Sequence, residues 1–133
     1  MGTTIRPKIS EDRPEYISKH RYYELKHFCL QFREWERVHA YLVSGIVPSG
    51  FSKTHGSWPS DRTGSIASLA AGYSKKLNMV RDSAHEADPE LERWILLCVV
   101  DGLSYDKLQP PCSKDTFYKR YRLFFAILSR KRD

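Results

Sequence analysis

The feature that most constrains this chain is the pair Pro110-Pro111, set between two serines that each precede a helix-forming run. Proline lacks the N–H that a helix interior needs and pushes the residue before it out of the helical region. Any helix reaching Gln109 must therefore stop there, and a new one must begin beyond Pro111. Ser104 is placed to cap a short helix from Tyr105 to about Gln109, and Ser113 to cap a longer one. In the longer helix Phe117, Tyr121, Phe124, Phe125 and Leu128 recur at three- and four-residue steps, one apolar stripe, while Lys114, Thr116, Lys119, Arg120 and Arg122 fall largely off it. The stretch Asp101 to Arg132 thus reads as a helix-turn-helix whose last helix packs with one face and presents cations on the other.

Charge points to the same place. Residues 110–133 hold Lys114, Lys119, Arg120, Arg122, Arg130, Lys131 and Arg132 against Asp115 and Asp133, which is +5 of the net +6. Localised basicity of this kind suits a polyanion, because neutralising it releases condensed counterions. The rest of the composition, 29% charged and 41% hydrophobic, is that of a folding chain, and 133 residues suffice for one domain with a real core.

The remaining elements are all helical. Residues 1–13 mix glycine, proline and charges without a period and are expected to form a flexible arm, in which Arg6, Lys8 and Arg13 are more readily solvated than bound. Residues 14–44 carry Leu25, Phe28, Cys29, Phe32, Trp35, Val38 and Leu42 on one stripe, which predicts helix from about Pro14, either continuous or bent near Arg33. Residues 45–62 contain Pro48, Gly50, Gly56 and Pro59 and read as a loop or linker. From 63 to 133 a helical domain is expected, ending in the helix-turn-helix at 101–131. It opens with a helix started by Asp61 or Thr63 and running to about Ala87, with Ile66, Leu69, Ala70, Tyr73, Leu77, Val80 and Ala84 at helical spacing, lying against the first helix. Asp88-Pro89-Glu90 predicts the next start, an acid cap followed by proline at the first helical position. The helix through Val100 is apolar on nearly all sides and so belongs in the middle of the domain, with Gly102 placed to end it in a left-handed turn. No alternating strand pattern occurs. The expected fold class is all-α, a bundle of about five or six helices with a C-terminal helix-turn-helix.

No catalytic constellation emerges, and no enzyme activity, metal site or cofactor is expected. His20 and His27 lack an acid-rich pocket, His85-Glu86 sits at a helix end, and Lys53 with Ser49, Gly50 and Gly56 does not make a phosphate loop. Glu24, Glu34 and Glu36 among Lys26, Arg33 and Arg37 fit a solvated face. Cys29, Cys98 and Cys112 form no CxxC pair, so a reduced, cytoplasmic setting fits. Cys112 precedes a helix N-terminus that can lower its pKa, but it has no base and reads as a packing residue of the turn. The longest apolar run, Trp94 to Val100, is too short for a bilayer, and no export signal is present; the chain is expected to be neither exported nor membrane-spanning.

Gly102, Ser104, Ser113 and Thr116 follow the order of the helix-turn-helix in sigma-factor region 4, which this segment resembles: a buried helix, Gly-x-Ser, a short helix, a turn, Ser-x-x-Thr and a basic helix. The two serines are closer together here, and Pro110-Pro111 replaces the usual turn. Over most of residues 16–131 the chain also resembles small regulators of late genes in phages and prophages of Gram-positive bacteria, the RinA and ArpU type. That likeness rests on RYYELKHFCLQFREWERVHAYL (21–42), DRTGSIASLA (61–70), AHEADPELERWIL (84–96) and PCSKDTFYKRYRLFFAIL (111–128). The resemblance implies a double-stranded-DNA-binding transcription regulator acting in the cytoplasm of a bacterial host. It places Lys114, Asp115, Thr116, Tyr118 and Lys119 at base edges in the major groove, Arg120 and Arg122 on the backbone, and Arg130, Lys131 and Arg132 as a weaker phosphate clamp. About five phosphate contacts give a salt slope of roughly −4 to −5. The competing reading is that terminal Lys and Arg merely solvate their helix and complement its dipole. Two alternatives differ in class: a protein-interaction module whose aromatic N-terminal stripe binds RNA polymerase or another phage protein, and the DNA-recognition component of a packaging terminase. A homodimer reading two half-sites fits the first reading, with the long aromatic stripe as its interface; a monomer leaning on polymerase fits equally.

Overall fold

A computed structural model describes residues 16–45 and 62–133. They form six helices: α1 (Lys19–Leu30), α2 (Phe32–Ser44), α3 (Arg62–Ala87), α4 (Glu92–Asp101), α5 (Tyr105–Leu108) and α6 (Lys114–Arg132). The all-α class is confirmed, with no strand among the described residues. The arm at 1–13 and nearly all of the 45–62 loop, including Lys53, Ser49, Gly50 and Gly56, lie outside the described residues. Among the described residues the chain divides into two compact units, one of 16–31 and 79–133, the other of 32–45 and 62–78.

In the second unit α2 buries Phe32, Trp35 and Leu42. Lys76 of α3 lies with its ammonium 5.3 Å from the Trp35 ring centroid and 5.4 Å from that of Tyr73, so the stem of a lysine and a cation–π contact join α2 to α3. This is the expected packing of the third helix on the N-terminal stripe.

The first unit is organised around α4, which meets α1, α5 and α6. Its Ile95, Cys98, Val99 and Val100 are buried, as an all-round apolar helix requires. Gly102 ends it at φ 71°, ψ 22°, with its N–H on the Cys98 carbonyl at 3.1 Å and Leu103 N–H reaching Leu97 O at 3.5 Å. A Cβ at Gly102 would meet nothing within 4 Å, so only the left-handed backbone favours glycine there. Gly102→Ala is therefore expected to cost about 1 kcal/mol, the left-handed penalty alone, and Gly102→Asn less; thermal unfolding followed by circular dichroism measures both.

Two predicted helix starts and one predicted cap bond are corrected. The first helix begins at Lys19, not Pro14: residues 16–18 are not helical, and the Ser18 hydroxyl accepts from Arg21 N–H at 3.2 Å, a cap that sets the boundary. Asp88 does not cap α4. Its carboxylate accepts from Glu90 N–H at 2.9 Å and Leu91 N–H at 3.3 Å, and its carbonyl from Leu91 N–H at 3.2 Å. That is a turn with proline at its second position, so α4 starts only at Glu92. Ser104 occupies the N-cap of α5 but its side chain makes no capping hydrogen bond.

The long N-terminal stripe is two helices, broken at Gln31. Gln31 N–H turns to Phe28 O at 3.3 Å, and its side-chain amide donates to the His27 carbonyl at 3.3 Å, satisfying the acceptor that the break would orphan. Neither glycine nor proline marks the site.

Candidate nucleic-acid interface

Helix α6 is built as expected at its start: Ser113 Oγ accepts from Thr116 N–H at 3.2 Å and donates to Thr116 Oγ1 at 3.0 Å. Its apolar stripe Phe117, Tyr121, Phe124, Phe125 and Leu128 is wholly buried. Ala126 and Ile127 are buried too. Five successive buried residues, Phe124 to Leu128, span more than one turn, so the helix is enclosed on every side there. The open positions of α6 lie on either side of this segment, on its N-terminal half and at Arg130, Lys131 and Arg132.

The Pro110-Pro111 turn is braced by one side chain. Tyr105 packs against Phe117 with the rings tilted by 54° and their centroids 5.8 Å apart, and its hydroxyl donates to the Cys112 carbonyl at 2.5 Å. The tyrosine thus spans the turn and ties α5 to α6, while Gln109 at φ 46° reverses the chain before the prolines. From Tyr105 an aromatic run continues through Phe117, Tyr118, Tyr121 and Phe125 to Tyr22 of α1, whose hydroxyl lies 2.7 Å from that of Tyr121. Burial raises the pKa of Tyr22, partly offset by that hydrogen bond.

The far end of α6 is held by Arg21. Its guanidinium donates to Ser129 Oγ at 3.0 Å, to the Ser129 carbonyl at 2.9 Å, to the Asp133 carboxylate at 2.8 Å and to Glu24 at 2.7 Å. A cation on the C-terminal carbonyls is also favoured by the helix dipole.

Each predicted contact residue has a definite place. Lys114, Asp115, Thr116 and Lys119 are exposed on the first turns of α6, and Arg122 is half-buried one turn beyond Lys119. Asp115, Lys119 and Arg122 share one side at helical spacing. Among the described residues, no ion pair holds Lys114, Lys119, Arg122 or Arg130. Tyr118 is turned inward instead: it is half-buried, edge-on to Phe117 and Tyr121 with centroids 5.5 and 5.6 Å away, and its pKa is raised by burial and partly restored by the Tyr105 backbone. Arg120 Nε lies 3.4 Å from Asp88 Oδ2.

The terminal cations do not form one group. Arg130 is about 12 Å along the helix from Arg122, with the enclosed segment between them. Lys131 pairs with Glu86 at 2.6 Å, and the Arg132 guanidinium sits 4.1 Å from the Phe28 ring centroid. Two of the three proposed phosphate clamps are thus engaged within the protein. Exposed pairs of this kind contribute only about 0–1 kcal/mol each, but they compete with any external anion.

The Asp88, Arg21 and Tyr105 contacts escaped the sequence reading because each joins residues remote in sequence. Burial raises the Cys112 thiol, with Asp88 adding to it, opposite to the lowering that a helix N-terminus can bring. Cys29 and Cys98 are buried free thiols; Cys98 is pushed up to about 12 by burial. His85 Nδ1 meets Glu92 at 2.9 Å in the first turn of α4. Among the described residues no group of His, Cys, Asp and Glu is arranged to hold a metal, and no helix is long and apolar enough to cross a membrane. No family model, curated protein or solved structure matches the chain.

Proposed function

We propose that this chain is a double-stranded-DNA-binding transcription regulator of phage or prophage origin, with the N-terminal half of α6 as its major-groove element. The observation that carries the reading is the division within α6. One face is locked into the core, while Lys114, Lys119 and Arg122 stand on the open half without an acidic partner among the described residues. Basic side chains left uncompensated on a rigid helix lower the cost of meeting phosphate, because neither a counter-charge nor much backbone entropy is lost on binding. The braced turn and the Ser113 cap present this half as a fixed element. The likeness to the RinA and ArpU type and to sigma-factor region 4 supports the assignment of the last helix.

The test is a salt titration. With Arg120, Lys131 and Arg132 engaged internally, Arg122 and Arg130 remain of the five expected phosphate contacts, and Lys114 and Lys119, expected at base edges, add at most two more, so log K against log salt for duplex DNA is expected to fall with a slope between roughly −2 and −4. Absence of any duplex shift at micromolar protein and low salt overturns the reading.

A second reading has its own observation. Tyr23 and Leu30, seven residues apart on one side of α1, are 39% and 44% exposed, a place where another protein such as RNA polymerase can pack. Binding to polymerase without a DNA shift favours that reading; assembly into a ring favours the terminase component.

A further inference from the structure

We propose that Asp88 is a built-in competitor for the DNA backbone, holding Arg120 and so keeping the affinity of α6 for duplex DNA below what its cations alone provide. The proposal rests on the DNA-binding reading above and names a residue that tunes it.

Asp88 uses its two carboxylate oxygens for separate tasks. Oδ1 accepts from the backbone of Glu90 and Leu91 and shapes the turn between α3 and α4; Oδ2 faces Arg120 Nε at 3.4 Å. The first task needs an acceptor and no charge, since asparagine and serine serve equally at the first position of such turns. The negative charge is therefore surplus to the turn, and its evident object is Arg120.

Position on the helix gives the pair its consequence. Arg120 and Arg122 are two residues apart, which places them on opposite flanks of Lys119. A helix in the major groove has a phosphate strand on either side, so cations on both flanks address both strands. Asp88 neutralises one flank, while the other has no acidic partner among the described residues. The contact is a single one, through Nε, on an arginine side chain that is 45% exposed, while Asp88 is 20% exposed. Exchanging it for a phosphate returns no more than it costs, so Arg120 stays on Asp88 in the wild-type complex and adds no phosphate contact of its own. The same carboxylate acts on Cys112 in the turn ahead of α6, so its charge lies against the end of α6 that would approach DNA.

The full-length protein and a fluorescein-labelled random-sequence duplex, followed by anisotropy across a salt series, test this. Asp88→Asn is expected to bind roughly two- to fivefold more tightly at low salt, the size of an exposed ion pair, with a slope steeper by about 0.9 for one added phosphate contact. Asp88→Ser, which keeps a turn acceptor, is expected to do the same and stands in if the asparagine variant does not fold. In an Arg120→Gln background the gain should vanish. Wild-type binding with neither Asp88 variant tighter overturns the proposal alone, as does an equal gain without Arg120. No binding by wild type or variants overturns the DNA reading and this proposal together.

Discussion

Reversing two charges, Lys119→Glu with Arg122→Glu, is expected to weaken duplex binding at least about a hundredfold while leaving the fold intact. Each substitution changes the local charge by two units. At exposed sites about 0.7 kcal/mol per unit of charge gives nearly 3 kcal/mol in all, two orders of magnitude in affinity. Neither residue has an internal ion pair to lose among the described residues, and Lys119 is fully on the surface. Stability should therefore stay within about 0.5 kcal/mol per site, apart from the packing of the half-buried Arg122 stem. The measurement is paired: anisotropy for binding, helical circular dichroism and urea midpoint for the fold. Unchanged affinity would remove the site from this half of α6. The same reversal at Lys131 and Arg132 acts differently, since those cations hold Glu86 and the Phe28 ring, and stability rather than affinity should respond.

Phe124→Ala is expected to have the opposite signature, a loss of about 3–5 kcal/mol of stability. Phe124 has no solvent exposure and lies edge-on to Phe125 with ring centroids 5.0 Å apart. It also stands in the enclosed segment of α6, where no direction is open for the structure to relax into the vacated space. Against a total stability of about 5–15 kcal/mol for a domain of this size the loss is severe. The urea midpoint should fall by more than about 1 M. Binding should fail only as the fold fails, so ligand added in excess should recover part of it by mass action, which it cannot do for the charge-reversal variant. A midpoint shift below about 0.3 M would mean that the enclosed segment is not the anchor of the helix.

These two predictions separate because one helix serves two roles, and that division was largely legible in the chain. Phe117, Tyr121, Phe124, Phe125 and Leu128 recur at helical steps, and all five are buried. Ser113 and Gly102 mark their helix ends through local backbone chemistry, which a few neighbouring residues decide. Asp88 shows the limit of such local signals. An acid followed by proline opens a helix or a tight turn with equal ease, and the carboxylate's hydrogen bonds to Glu90 and Leu91 select the turn.

The candidate interface was only half legible. Sequence lists every cation of α6 alike, whereas the structure distinguishes Lys119, with no ion pair among the described residues, from Arg120 on Asp88, Lys131 on Glu86 and Arg132 on Phe28. Those partners are contributed by α1, by the end of α3 and by the turn after it, far away along the chain. Likewise Tyr118 falls off the strict apolar stripe, yet the nearness of α5 draws it inward.

What sequence alone determined here is what the period and local capping of the backbone determine: helices rather than strands, a stop at Pro110-Pro111, a left-handed end at Gly102, and a last helix with an apolar and a basic side. What only the tertiary structure decided is where the first stripe breaks, at a Gln31 that carries no breaking residue, and which cations keep their charge available. The break is closed by neighbours of Gln31, the Phe28 and His27 carbonyls, in a backbone choice that no residue type there announces; the cations depend on groups brought together by folding, because ion pairs are set by distance in space, to which spacing along the chain is blind.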